Sequence, residues 1–146
     1  MNKVSSLSGE TLLEPTQDNA FVTPGIILTS DDLNECDEEI FGPILQLVQV
    51  DSLEDAILVS NRTKYGLASS ILSSSRDDYD LFLAHSKAGV INWNLPTTGA
   101  SSHAPFGGLG LSGNYRPSAF YAADYCAYPV ASLESEQLET PLIQGL

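Results

Sequence analysis

The chain has 146 residues, with 19 acidic side chains against 6 basic ones, a formal net charge of −13 and 42% hydrophobic residues. This length and hydrophobic fraction are sufficient for one folded domain with its own core. An acidic surface repels phosphate backbones and anionic lipids, so we expect neither nucleic acid nor a membrane surface as a partner. No apolar run approaches the roughly 18 residues that span a bilayer, and no signal peptide is apparent, so a cytoplasmic location is expected.

The two cysteines, Cys36 and Cys126, do not form a disulfide framework. The sequence contains no Cys-x-x-Cys pair, no His/Cys cluster and no calcium-binding loop, so no metal site is expected.

The first third of the chain predicts few regular elements. The polar residues 1–19 predict a flexible N-terminal segment, and residues 21–28 predict one short, irregular strand because Pro24 and Gly25 interrupt it. Residues 29–39 carry six carboxylates and no basic side chain, which is typical of a solvated turn. The six are Asp31, Asp32, Glu35, Asp37, Glu38 and Glu39.

The middle of the chain predicts a strand, a helix and a second strand. Residues 44–50 partly alternate and are rich in branched side chains, which favours a strand. Asp51 is a candidate cap for the helix that follows, with Glu54 at its third position, and Gly66 is its predicted end. Residues 67–72 then predict another strand. The helix carries its inward face at Leu53, Ala56, Ile57 and Ser60.

A second helix has the strongest local signals in the chain. Ser75 is its predicted cap, Asp77 and Asp78 suit its first turn, His85 and Lys87 suit its last turn, and Gly89 is its predicted end. Its predicted buried stripe consists of Tyr79, Phe82, Leu83 and Ser86.

The last third predicts a strand over residues 89–94 and a loop over 95–116. Pro117 is well placed to begin a helix that runs to Cys126, and residues 128–133 suit a final strand. The alternation of strands and helices with short connections predicts an α/β fold with a partly parallel sheet. Because a parallel sheet needs cover on both faces, the few helices available suggest that the sheet is incomplete.

No motif provides a self-contained active site. Residues 108–113 satisfy Gly-x-Gly-x-x-Gly, but no strand leads into them and no helix opens from them, so a turn with close backbone packing is the better interpretation. Cys36 lies among carboxylates that disfavour a thiolate, and Cys126 has no sign of activation. His85 and His103 are best interpreted as a helix-end residue and a loop residue.

A family resemblance changes this picture. The string Glu38-Glu39-Ile40-Phe41-Gly42-Pro43 resembles a signature of the aldehyde dehydrogenase superfamily, and Asn61 with Gly66-Leu67 and Pro105-Phe106-Gly107-Gly108 resemble two further family segments. Later stretches resemble the branch that oxidises N-succinylglutamate 5-semialdehyde in arginine catabolism. These stretches are Asn92-Trp93-Asn94, residues 98–102, residues 112–119 and residues 121–127.

The resemblance implies a fold, a cofactor and a set of site residues. Residues 20–127 would form the C-terminal part of the catalytic domain, and residues 128–146 a strand and tail used in oligomer contacts. The complete enzyme would oxidise an aldehyde to a carboxylate with NAD. Glu39 would bind the ribose hydroxyls beside the nicotinamide, and Phe41 would pack near that ring. The substrate-facing residues would be Gly99, Ala100, Ser101, Ser102 and Phe106.

The resemblance also implies what the 146 residues omit. The family's nucleophilic cysteine, its glutamate base and its cofactor-binding domain precede the matched region, and neither cysteine here occupies the nucleophile's position. We therefore expect no catalytic residue in this chain and no aldehyde oxidation by it alone. The alternatives are a non-catalytic module that complements a separate N-terminal half or a full-length subunit, and a gene remnant that aggregates. A homo-oligomer or a complementing subunit is the expected assembly.

Overall fold

The computed structural model describes residues 9–29, 37–99, 101–115 and 117–138. Besides a 3-10 helix at Gly110–Ser112, nine strands and three α-helices lie in these ranges. In chain order they are β1 (Gly9–Leu13), β2 (Gln17–Asp18), β3 (Phe21–Val22), β4 (Gly25–Thr29), β5 (Ile44–Val48), α1 (Leu53–Ser60), β6 (Ala68–Ile71), α2 (Arg76–His85), β7 (Val90–Trp93), β8 (Pro105–Phe106), β9 (Ser118–Ala119) and α3 (Ala122–Tyr125).

A three-stranded sheet in the order β1-β4-β5 forms the first half of the described fold. The central strand β4 pairs antiparallel with β1 and parallel with β5, with Ile27 opposite both Thr11 and Gln46. One face of β4 is buried at Gly25, Ile27 and Thr29. Thr29 satisfies its buried hydroxyl by donating a hydrogen bond of 3.2 Å to the Leu47 carbonyl.

A strand-helix-strand unit forms the second half. Strands β6 and β7 are parallel neighbours, with Ala68 opposite Val90 and Ile71 opposite Trp93, and α2 connects them. The two parallel pairs, β4-β5 and β6-β7, confirm the predicted α/β class with a partly parallel sheet. Helices α1 and α2 bury one large side chain each, Ile57 and Phe82.

The start of α2 agrees with its sequence signals, whereas the other predicted helix limits are wrong. Ser75 caps α2 by accepting a hydrogen bond of 3.2 Å from the Asp78 N–H. Helix α1 is capped by Ser52 rather than Asp51, because the Ser52 hydroxyl accepts from the Asp55 N–H. Both helices end earlier than the predicted stops at Gly66 and Gly89: α1 ends at Ser60 and α2 at His85.

Replacing Ser75 by alanine is expected to lower the free energy of unfolding by about 1 kcal/mol, because an orphan N–H in the first turn loses its partner. The chain has one tryptophan, Trp93, which lies next to α2 in β7, so urea titration followed by tryptophan fluorescence measures the change. Ser74→Ala is the matched control. It removes a neighbouring exposed hydroxyl outside the helix, and an equal loss in both variants would contradict the capping argument.

Two predictions near the N-terminus are corrected. Part of the segment 1–19 is a strand, since Gly9–Leu13 pairs with β4, and residues 17–18 pair with β3. Residues 21–28 form two strands in different sheets rather than one, because the chain leaves the β2-β3 hairpin at Thr23 and Pro24 before it enters β4. Gly25 is buried at the start of β4, so the glycine begins a strand instead of interrupting one.

The predictions for the C-terminal part are also corrected. Pro117 does not begin a long helix; it precedes the short strand β9, which pairs with β8 so that Phe106 lies opposite Ser118. The helix in this region is limited to Ala122–Tyr125. Residues 128–133 form no strand, and the described part of the proposed tail, up to residue 138, is exposed and irregular.

Much apolar surface is exposed across the described residues. The large hydrophobic side chains that are buried are Ile27, Ile57 and Phe82, whereas many others are exposed, including Phe41 at 91% and Leu133 at 103%. Large exposed apolar patches mark surfaces used for contact with other proteins, ligands or membranes. Among the helices described, none has both the length and the apolar character that crossing a bilayer requires.

Candidate functional site

A cavity of about 600 Å³ lies between the acidic segment that precedes β5 and the turn that follows α1. Residues 37–39 line one side of this cavity, and residues 60–63 and 65–69 line another. Among the described residues, Gln46 in β5, Lys87 and Ala88 just before β7, and Ser112 complete the lining. The cavity thus brings together residues that are distant in sequence.

Glu39 is the predicted site residue that lines this cavity. Its side chain is exposed, and within the described ranges its carboxylate has neither a hydrogen-bond nor an ion-pair partner. A carboxylate can accept several hydrogen bonds at once, so this group is available to a ligand that carries hydroxyl donors.

Asp37, two residues earlier, is engaged instead. Its carboxylate accepts a hydrogen bond of 2.7 Å from the Thr63 hydroxyl and one of 2.6 Å from the Lys64 N–H. Partial burial raises the pKa of the Asp37 carboxyl, but these two hydrogen bonds and the charge of Lys64 outweigh it and leave that pKa below its ordinary value of 3.8. The segment that carries Glu39 is therefore attached to the turn after α1.

The lowered pKa of Asp37 predicts that the free energy of unfolding decreases at low pH. A carboxyl whose pKa is lower in the folded chain stabilises the fold above its unfolded pKa, and this stabilisation is lost as the pH falls through the folded value. We expect wild type to lose more of its unfolding free energy than Asp37→Asn when the pH is lowered below 3.8. Urea titrations at several pH values measure this difference, and parallel curves for the two proteins would contradict it.

The glycine-rich stretch 108–113 packs against the same turn. The Leu111 N–H donates to the Lys64 carbonyl at 2.9 Å, and the Leu109 N–H donates to the Gly66 carbonyl at 2.9 Å. Gly66 in turn donates its N–H to the Ser112 hydroxyl at 3.1 Å. A side chain at Gly110, whose φ is +56°, would collide with the Lys64 carbonyl. These contacts confirm that the glycines serve close backbone packing.

The remaining predicted site residues that the structure describes do not line the Glu39 cavity. Phe41 is 91% exposed on the segment before β5, and Phe106 is half-buried in β8. Gly99 is exposed with φ of +101°, so this position favours glycine. The Ser101 hydroxyl accepts from the His103 N–H at 3.2 Å, and Ser102 is exposed. Ala100 lies outside the described residues.

The Asn92-Trp93-Asn94 string fixes the start of the loop that carries Gly99. The Asn92 side chain donates to the Pro96 carbonyl at 2.7 Å. Asn94, at φ of 52°, binds both backbone groups of Ser73, and the indole N–H of Trp93 donates to the same Ser73 carbonyl at 2.9 Å. This string therefore has a structural role that explains its residue types.

Sequence reasoning missed Asp37 and Thr63 as site residues. Asp37 was counted among the solvated acids of residues 29–39, and nothing in that run distinguishes it from its neighbours. Cys126 is exposed, and His85, His103 and the acids of the described ranges form no group that could hold a metal ion.

Comparison with known proteins identifies relatives over most of the chain. The aldehyde dehydrogenase family model matches residues 3–129. The N-succinylglutamate 5-semialdehyde dehydrogenase of Sphingopyxis alaskensis is 53% identical over 135 residues, which is 92% of this chain and 28% of that protein. The chain spans 28–29% of the length of the curated relatives it matches.

Two solved structures have similar folds. Aldehyde dehydrogenase 21 from Physcomitrella patens, in complex with the reaction product succinate, has a TM-score of 0.72 at 28% identity and covers 84% of this chain and 26% of its own. A 1-pyrroline-5-carboxylate dehydrogenase from Thermus with bound NAD has a TM-score of 0.70 at 28% identity and covers 77% of this chain and 23% of its own.

Proposed function

Because this chain belongs to the aldehyde dehydrogenase family, we propose that it forms part of an NAD-dependent dehydrogenase that oxidises N-succinylglutamate 5-semialdehyde to a carboxylate. The 53% identity to the Sphingopyxis alaskensis relative supports this substrate. In this proposal residues 20–127 form the C-terminal part of the catalytic domain, residues 128–146 contribute to a homo-oligomer, and the enzyme is cytoplasmic.

The observation that carries the proposal is the unpartnered Glu39 carboxylate on the wall of the cavity. A ribose diol presents two hydroxyl donors to one face, and a carboxylate accepts both without reorganisation. The Glu39 carboxylate, as an acceptor of hydroxyl hydrogen bonds, fits the ribose of NAD. When bound, NAD supplies the hydride acceptor. Phe41 is proposed to pack near the nicotinamide, and its 91% exposure leaves the ring free for such a contact.

The loop from Gly99 to Phe106 is proposed to bind the substrate. In this assignment the backbone of Gly99 and Ala100, with the hydroxyls of Ser101 and Ser102, holds the distal carboxylates, and Phe106 lines the aldehyde pocket. Positive φ at Gly99 and the absence of a neighbour within 4 Å of its Cβ position leave its backbone open to approach. The succinate in the Physcomitrella patens structure is a dicarboxylate product, which suits the same chemistry.

The 146 residues alone are proposed to lack turnover. The reaction of this family needs a thiolate nucleophile, and Cys126 is an exposed thiol on the C-terminal side of α3, outside the region that carries Glu39 and the cavity. The residues of this chain therefore bind and orient cofactor and substrate, while the bond-making groups come from other parts of the enzyme.

A hybrid protein tests the substrate assignment. In this protein, termed the hybrid dehydrogenase, the chain replaces the matching 28% of the Sphingopyxis alaskensis relative. We expect kcat/KM for N-succinylglutamate 5-semialdehyde to exceed that for propanal by at least about 100-fold, because propanal leaves the carboxylate-binding groups unpaired. Equal kcat/KM for the two aldehydes would contradict the substrate assignment.

A second candidate is a non-catalytic module that complements a separate N-terminal half or a full-length subunit. The exposure of large apolar side chains, with Leu45 at 54% and Leu58 at 61%, favours a chain that is covered by another polypeptide. Co-purification at a fixed stoichiometry with a larger dehydrogenase chain, without a change in its kcat, would support this candidate over a catalytic part.

A further inference from the structure

The segment that bears Glu39 is held by hydrogen bonds at both ends. At its C-terminal end the Gly25 N–H donates to the Pro43 carbonyl at 2.9 Å, which joins the segment to β4. At its N-terminal end the described attachments include the two short hydrogen bonds of Asp37 to Thr63 and Lys64. Residues 38–41 belong to no helix or strand. These two end attachments therefore help to hold Glu39 in position.

The anchor to which Asp37 binds is itself rigid. The Lys64 N–H binds Asp37, and the Lys64 carbonyl accepts a hydrogen bond from the Leu111 N–H. Lys64 therefore links the Glu39 segment to the glycine-rich stretch. Gly108 and Gly113 approach each other so closely that a Cβ on Gly113 would collide with the Gly108 carbonyl. These hydrogen bonds and close backbone contacts clamp the turn, that is, they hold in place the Thr63 and Lys64 groups to which Asp37 binds.

We propose that Asp37 is a positioning residue for the cofactor: its carboxylate fastens the Glu39 segment to the clamped turn at Thr63 and Lys64. This inference rests on the proposed role of Glu39 at the ribose. It assigns a task to the glycine-rich stretch as well, namely to keep the turn in the place where Asp37 can bind it. Asp37 acts through Glu39 and does not touch the cofactor.

Hydrogen exchange on the 146-residue chain tests the attachment without any activity. In Asp37→Ala we expect the Lys64 amide and the amides of residues 38–41 to exchange at least about fivefold faster than in wild type. The control Asp80→Ala removes a carboxylate that pairs with Arg76 at 2.8 Å on α2, and it should leave these amides unchanged. Unchanged exchange in Asp37→Ala would overturn the proposal.

Kinetics of the hybrid dehydrogenase test the consequence for the cofactor. Asp37→Ala is expected to raise KM for NAD about fivefold to tenfold, with KM for the aldehyde little changed. Thr63→Val should give a smaller rise, and Thr63→Ser should restore the wild-type KM for NAD because it keeps the hydroxyl donor.

The two experiments separate this inference from the proposed function. In one outcome, exchange increases in Asp37→Ala but the wild-type hybrid dehydrogenase shows no NAD-dependent turnover. The attachment of the Glu39 segment by Asp37 is then supported, whereas the proposed function is wrong. The positioning role of Asp37, which depends on that function, is then wrong as well. If the wild-type hybrid turns over and Asp37→Ala changes KM for NAD and KM for the aldehyde equally, Asp37 is only structural and the proposal is overturned.

Discussion

Replacing Gly89 by alanine is expected to lower the free energy of unfolding by at least about 3 kcal/mol, because among the glycines that the structure describes its Cβ position has the closest neighbour. A Cβ at Gly89 would overlap the Gly107 carbonyl oxygen and crowd the Cα of Gly108. These are backbone atoms of the clamped glycine-rich region, so no side-chain rotation can relieve the collision. Because small domains have only about 5–15 kcal/mol of stability, such a loss brings the chain close to unfolding.

The measurement is urea titration with Trp93 fluorescence, and Gly42→Ala is the matched control. A Cβ at Gly42 would have its nearest neighbour, a methyl group of Ile40, at 4.0 Å, so this variant should lie within about 0.5 kcal/mol of wild type. Equal midpoints for Gly89→Ala and Gly42→Ala would show that the close approach of Gly89 to Gly107 does not exist in solution.

Replacing Glu39 by glutamine is expected to raise KM for NAD in the hybrid dehydrogenase by about 10- to 100-fold. The amide keeps the size of the side chain but offers one acceptor oxygen and no charge, so the two hydroxyl bonds to the ribose weaken or one is lost. Glu39 has no partner in the described part of the chain, and the fold should therefore not depend on its charge.

The control for this variant is Glu54→Gln, which makes the same chemical change on the exposed first turn of α1, away from the cavity. We expect KM for NAD in the control to stay within about twofold of wild type, and KM for the aldehyde to change little in both variants. A Glu39→Gln enzyme with a wild-type KM for NAD would exclude Glu39 as the ribose contact.

Local signals predicted the elements whose stability is local. The Ser75 cap, the acidic first turn of α2 and the run of branched residues in β5 are each set by residues within one or two turns. The family signature around Glu39 and Phe41 could likewise be recognised from the sequence, because it consists of consecutive residues.

The features that could not be predicted from the sequence depend on contacts between residues distant in the chain. The Gly9–Leu13 segment has no clear alternation and becomes a strand because β4 offers it an edge. Pro117 is a helix signal only locally; the pairing of Phe106 with Ser118 and the φ of 57° at Ala119 direct the chain into β9. In the sequence Asp37 resembles the other acids of its run, and its hydrogen bonds from the Thr63 hydroxyl and the Lys64 amide become visible only in the structure.

NADH formation from N-succinylglutamate 5-semialdehyde, followed side by side for the 146-residue chain and the hybrid dehydrogenase, tests the central claim most directly. The claim is that this chain carries the ribose contact and part of the substrate pocket but not the nucleophile. We expect no NADH above buffer from the chain alone and sustained NADH formation from the hybrid. Turnover by the chain alone that persists after replacement of Cys36 and Cys126, or a folded hybrid that forms no NADH, would contradict the account.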